Sequence, residues 1–219
     1  GAGARNDKFL YALFCVGLLA ALASPLAYVL YEVTSSEFRQ FFTHKMIALG
    51  GLAPGALGVV MLVWLWRLRA SRLGEYRAVW SSAFCSVALF LYGGLFGLMI
   101  TGQNVVIPAH YHGSIVGITL AFMGYAYMAL PEFGYRRVTG WRMAYWQPVV
   151  SALGQVMHVS GLAYSGGYGV LRKTAGGVDA LAPNIKIALG FMGMGGLLAI
   201  AGGLMFVIVM YKAMRYNDK

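Results

Sequence analysis

The feature that most constrains this chain is a series of long apolar stretches, each about as long as a bilayer is thick. Of its 219 residues, 59% are hydrophobic and only 11% are charged, whereas a soluble domain carries about 25% charged residues. Since lipid forces backbone polar groups to pair internally, we expect an all-α membrane protein in which residues 1–219 form a single domain. The pattern predicts six membrane-spanning helices, over about residues 9–31, 46–66, 79–101, 109–130, 149–170 and 185–211.

The distribution of charge predicts the orientation of these helices. The net charge is +10, and with the N-terminus inside, twelve of the 17 Lys and Arg residues fall in inner segments and five in outer loops. This positive-inside pattern predicts that both termini lie on the cytoplasmic, or matrix, side. We expect a bacterial cytoplasmic membrane in preference to the mitochondrial inner membrane. Membrane topology thus explains the excess of basic residues, and binding to nucleic acid is not needed to explain it. All seven acidic residues lie in loops or at span ends, which argues against a self-sufficient ion-coupled transporter.

Two histidines, His110 and His112, stand two positions apart at the start of the fourth span. Successive helical residues turn by about 100°, so these side chains point to nearly opposite flanks and can serve two separate centres. Neutral imidazole is a standard axial ligand of haem iron. A pair of interfacial histidines bonded to carbonyl groups is the alternative. His158, near the middle of the fifth span, is more typical of a structural residue, and the role of His44 stays open.

The outer loop after the fifth span contains the adjacent cations Arg172 and Lys173. Cations on the translocated side run against the topological rule, so we expect a compensating group. Haem propionates would compensate them through charge-assisted hydrogen bonds. A solvated loop and a contact with lipid phosphate are the alternatives.

Several stretches resemble the C-terminal half of the catalytic subunit I of the haem–copper oxidase and nitric-oxide reductase superfamily. Leu91–Ile100 and Val105–His112 are similar to its "GGLTG" helix and "VVAHFH" helix. Phe41–Thr43, ahead of Pro54, resembles its "YFT…PTG" helix, and Gly169–Lys173 resembles its "GMPRR" loop. The resemblance implies that the six spans match family helices seven to twelve, in a split or degenerate subunit.

The resemblance also implies roles for particular residues. His112 would be an axial ligand of the low-spin haem, and His110 the axial ligand of the high-spin haem, with haem of b or a type. Arg172 and Lys173 would hold the propionates. One or two haems would be shared with a partner chain that supplies the missing first six helices and the second axial histidine.

The copper site of that superfamily is not supported here. Its paired histidines would fall in the region 27–32, which contains no histidine. Tyr28, Tyr31 and Glu32 occupy that slot, where a carboxylate would favour iron over copper.

Three functions follow from these observations. The first is a haem-binding membrane subunit that passes electrons within a respiratory complex, with cytochrome c or quinol as possible donor. The second is half of a two-chain terminal oxidase or nitric-oxide reductase, an enzyme only together with its partner subunits. The third is a cofactor-free assembly or scaffold subunit.

Overall fold

The computed structural model describes residues 2–47, 51–68, 74–101, 104–170 and 181–215, and these residues form helices and no β-strand. Short 3-10 turns at Gly74–Tyr76 and Leu130–Phe133 join some of the helices. The described α-helices are α1 (Ala2–Leu22), α2 (Ser24–Leu30), α3 (Ser36–Lys45), α4 (Leu52–Leu68), α5 (Arg77–Gly97), α6 (Val106–Ala129), α7 (Arg142–Gly167) and α8 (Pro183–Arg215).

Four helical segments in the described part of the chain are long and apolar enough to cross a membrane, which makes this an all-α protein of membrane character. α4 is apolar but only 17 residues long. α7 has 26 residues, but it is less apolar and falls outside that set. The six-span arrangement and the cytoplasmic termini therefore stay predictions. The four segments are Lys8–Leu30, Arg77–Gly97, Val106–Phe133 and Pro183–Arg215.

The chain divides into two compact units, Gly1–Met61 and Leu62–Lys219. In the first unit, Pro25 stands in the first turn of α2, where its missing N–H costs no helical hydrogen bond. The Ser35 hydroxyl caps the N-terminus of α3 by accepting a hydrogen bond from the Phe38 N–H at 3.1 Å. The Tyr28 ring lies edge-on to Phe38, with centroids 5.1 Å apart, so α2 packs on α3 through aromatic side chains.

In the second unit, α5 to α8 pack closely because glycines stand where the helices cross. A Cβ on Gly113 of α6 would lie 2.5 Å from the Gly93 Cα of α5. A Cβ on Gly195 of α8 would lie 2.5 Å from the Gly154 carbonyl oxygen of α7. Small residues of this kind let backbones approach and are typical of helix contacts in membranes.

The polar side chains of α7 are largely paired inside this bundle. Gln147 is fully buried, accepts a hydrogen bond from the Tyr127 hydroxyl at 3.1 Å, and donates one to the Ser151 hydroxyl at 3.2 Å. The Ser81 hydroxyl of α5 donates to the Tyr145 carbonyl at 2.8 Å. These pairs explain how a helix of lower apolar content is accommodated in the core.

Candidate functional site

His110 lies half-buried near the start of α6 and is tied to α5. Its Nδ1 stands 2.8 Å from the carbonyl oxygen of Gly93. Because a carbonyl oxygen only accepts hydrogen bonds, Nδ1 carries the proton and donates it. The neutral ring then has its lone pair on Nε2, the arrangement in which metal-binding histidines are commonly held.

Gly97, the last residue of α5, makes room for this imidazole. A Cβ there would lie 2.8 Å from Nδ1 of His110 and 2.9 Å from its Cε1. Gly93 and Gly97 stand one helical turn apart, so a single face of α5 supplies both the hydrogen-bond acceptor and the space. The four-residue spacing of these two glycines is the sequence signal for the space that His110 occupies, and the spacing of the histidines alone does not indicate it.

His112 contacts a different helix, as its spacing from His110 predicts. Its side chain is exposed, and its ring lies edge-on to His158 of α7, with centroids 4.7 Å apart and planes at 69°. The two histidines of α6 thus contact α5 and α7 respectively. Whether either one binds iron remains a prediction.

His158 is the neighbour of His112 that the sequence did not indicate, because the contact depends on how α6 and α7 pack. Its Nδ1 donates to the Met192 carbonyl of α8 at 3.1 Å, so its Nε2 also has a free lone pair. Two imidazoles on opposite faces of one haem would have ring centres about 6 Å apart, given metal–nitrogen bonds of about 2.0–2.1 Å. At 4.7 Å, His112 and His158 are too close to hold a haem between them.

The other predicted site residues are dispersed. Arg172 and Lys173 lie outside the described residues. The Tyr28 ring is part of the aromatic contact with α3, and the Glu32 carboxylate accepts from the Thr34 hydroxyl at 3.0 Å. Among the described residues there is no group of three or more His, Cys, Asp or Glu side chains placed to share a metal ion.

Tyr31 instead lines an open surface cavity of about 540 Å³ beside α3, in which Tyr31, Glu37, Gln40 and His44 are exposed. No local sequence pattern indicates this cavity, although Glu37 and His44 are seven residues apart and so share a helix face. Hydrogen bonds from its own backbone N–H and from the Ser36 hydroxyl hold the pKa of the Glu37 carboxyl below its usual range. The lining residues are Ala23, Tyr31, Glu37, Gln40, Phe41, His44 and Lys45.

Comparison with known proteins gives two relatives. The chain is 34% identical to the uncharacterized protein RP382 of Rickettsia prowazekii (strain Madrid E) over 222 aligned residues, which cover 85% of the chain and 43% of the relative. It is 30% identical to an uncharacterized protein of Aquifex aeolicus (strain VF5) over 125 residues, covering 56% of the chain and 31% of the relative. The chain thus spans less than half the length of these relatives. No family model and no solved structure matches it.

Proposed function

We propose that this chain is a haem-binding part of an integral membrane complex that transfers electrons in a bacterial respiratory chain. Six spans with cytoplasmic termini, arranged like the second half of a haem–copper oxidase subunit I, belong to this proposal. The observation that carries it is the 2.8 Å contact between Nδ1 of His110 and the Gly93 carbonyl, because it leaves the Nε2 lone pair available to bind iron.

The donor chemistry of the described residues fits a haem. His110 would hold one iron on the α5 flank, and His112 would hold another on the α7 flank. Arg172 and Lys173 would bind propionates. A bound haem iron supplies one-electron transfer between its ferric and ferrous states. Copper forms no part of the proposal.

A haem held by His112 would need a second ligand other than His158, which stands too close to serve. We expect it from a partner chain or from a further segment of a longer protein. The relative RP382 has more than half of its length outside the matched region, which is compatible with such a segment.

The test is a reduced-minus-oxidised absorption spectrum of the full-length protein, purified in detergent with its associated subunits. We expect haem bands in the wild type, and their partial loss in the variants His110→Ala and His112→Ala. Thr119→Ala is the matched control, because Thr119 is an exposed residue of α6 whose hydroxyl bonds its own helix. A wild type without haem bands, or histidine variants with unchanged haem content, would contradict the proposal and favour the scaffold function.

Carbon monoxide separates electron transfer from catalysis. In the electron-transfer function each haem, that of His110 included, would have two protein ligands and no open position, so we expect no spectral change when carbon monoxide meets the reduced complex. A carbon monoxide complex that disappears in His110→Ala would favour the second function, the reduction of oxygen or nitric oxide at the His110 haem.

A further inference from the structure

His112 of α6 and His158 of α7 bring two imidazole rings into contact within the second unit. Their centroids are 4.7 Å apart, and their planes meet at 69°. His158 is half-buried between the helices, whereas His112 is exposed. The pair therefore joins a ring that the bundle holds to a ring that an incoming ligand can reach.

The backbone of α8 determines which nitrogen of His158 is available to a ligand. Nδ1 donates to the Met192 carbonyl oxygen at 3.1 Å, so the lone pair of the neutral ring is on Nε2. Within the part of the chain that the structure describes, neither this Nε2 nor either nitrogen of His112 has a hydrogen-bond partner. A carbonyl group orients metal-binding histidines in the same way, and here a second imidazole stands beside the oriented one.

The distance between the two rings indicates which kind of metal centre they can share. Imidazoles at neighbouring positions of one ion have ring centres about 4.5–5.3 Å apart, for metal–nitrogen bonds of about 2.0–2.1 Å and bond angles between about 90° and 109°. The observed separation of 4.7 Å lies within this range and corresponds to an angle of about 95°. The separation that is too short for ligands on opposite faces of a haem thus suits two ligands on the same side of a single ion.

We infer that His112 and His158 are neighbouring ligands of one divalent first-row transition-metal ion, in the state in which His112 holds no haem. The ion would bind Nε2 of His158 and one nitrogen of His112, and water would complete its coordination on the exposed side of His112. Imidazole suits copper, zinc, iron and nickel, and Cu(II) binds most tightly in this series. Cu(II) is therefore the probe with which the site is tested.

This metal site does not rest on the proposed function. A haem at His112 and an ion shared with His158 would use the same imidazole, so they are alternative occupants of His112. His110 contacts α5 instead, through the Gly93 carbonyl, and its Nε2 stays available whether or not the pair holds an ion. The two sites can therefore be tested separately.

The experiment is a titration of the full-length protein with Cu(II), after purification in detergent from cells that cannot make haem. We expect the bound Cu(II) to give an electron paramagnetic resonance signal that is coupled to two imidazole nitrogens. His112→Ala and His158→Ala each leave a single imidazole, and we expect each to weaken Cu(II) binding about a hundredfold, because the second ligand of a pair binds intramolecularly. His44→Ala is the matched control, because His44 is exposed and belongs to the first unit.

Equal Cu(II) affinity in the wild type and both variants of the pair would overturn the inference, and so would coupling to one nitrogen in the wild type. His158→Ala leaves the Met192 carbonyl without its donor. If that variant fails to fold, His112→Ala still decides, because its side chain is exposed. The haem is tested separately on protein from cells that make haem: Cu(II) binding at the pair without haem bands there refutes the proposed function and keeps this site, and the reverse result refutes this site alone.

Discussion

At the residue scale, the tautomer of His110 is set by its neighbours on α5. The Gly93 carbonyl takes the Nδ1 proton, and the absence of a side chain at Gly97 lets the ring lie there. A hydrogen bond of this kind fixes the orientation of a metal-binding imidazole, and its loss typically weakens metal affinity about 10–100-fold.

Gly97→Ala therefore tests the site without removing the ligand. The added Cβ would lie 2.8 Å from Nδ1 of His110, so the ring must move away and its bond to Gly93 must lengthen. We expect haem binding at His110 to weaken about tenfold, measured as haem per protein during titration of the apoprotein. Gly94→Ala is the matched control, because a Cβ there meets nothing within 4 Å. Equal haem affinity in the two variants would contradict this role of Gly97.

At the element scale, the contact between α7 and α8 is made by backbone. A Cβ on Gly161 of α7 would lie 2.8 Å from the Met192 Cβ of α8, and one on Gly154 would lie 2.7 Å from the Gly195 carbonyl oxygen. These glycines repeat along α7 at an interval of seven residues, so they share one face of the helix. The same face brings His158 to the Met192 carbonyl.

Gly195→Ala is expected to separate these two helices. Its Cβ would lie 2.5 Å from both the Gly154 carbonyl oxygen and the backbone nitrogen of His158, neither of which can rotate away. Overpacking of this kind costs about 1–3 kcal/mol, which we expect as a lower midpoint of thermal unfolding in detergent. Gly193→Ala, on the same helix with nothing within 4 Å, should keep the wild-type midpoint. A similar loss in both variants would contradict this role of Gly195, because alanine is the better helix former and does not by itself lower stability.

Hydropathy predicted the existence of the helices better than their ends. The third predicted span, 79–101, corresponds to Arg77–Gly97, and the chain turns at Leu98–Ile100 although these residues are apolar. The fifth predicted span starts at residue 149, but α7 begins at Arg142, and one face of its first turns, with Ala144 and Gln147, is buried among neighbours. Hydropathy indicates which residues can face lipid, and it does not identify polar residues that are buried against neighbouring helices.

The candidate site was only partly predictable, because contacts that depend on how helices pack are not encoded in local spacing. The i, i+2 spacing predicts that His110 and His112 point to different flanks, which the contacts with α5 and α7 confirm. The approach of His158 to His112 depends on the crossing of α6 and α7, and no local pattern encodes it. The assignment of haem to these histidines came from the resemblance and stays a prediction.

At the scale of the whole molecule, the six-span topology is open to a direct test. We expect alkaline phosphatase fused after Thr101 or after Val170 to be active, because each residue ends a predicted span at its outer side. Green fluorescent protein fused after Thr139 or after Lys219 should fluoresce, because these positions fall on the cytoplasmic side. Phosphatase activity at Lys219 would contradict the even number of spans, and hence the correspondence with helices seven to twelve.

The contacts between α7 and α8 bear on how the chain is inserted into the membrane during synthesis. The Met192 carbonyl that accepts the hydrogen bond of His158 belongs to α8, and α8 also packs on α7 at Gly154 and Gly161. When α7 has left the ribosome and α8 has not, His158 has no such acceptor, and the six-span prediction would place this unpaired polar group in lipid, where it is costly. We therefore expect α7 to wait at the translocon until α8 emerges, so that the two helices integrate together as a hairpin.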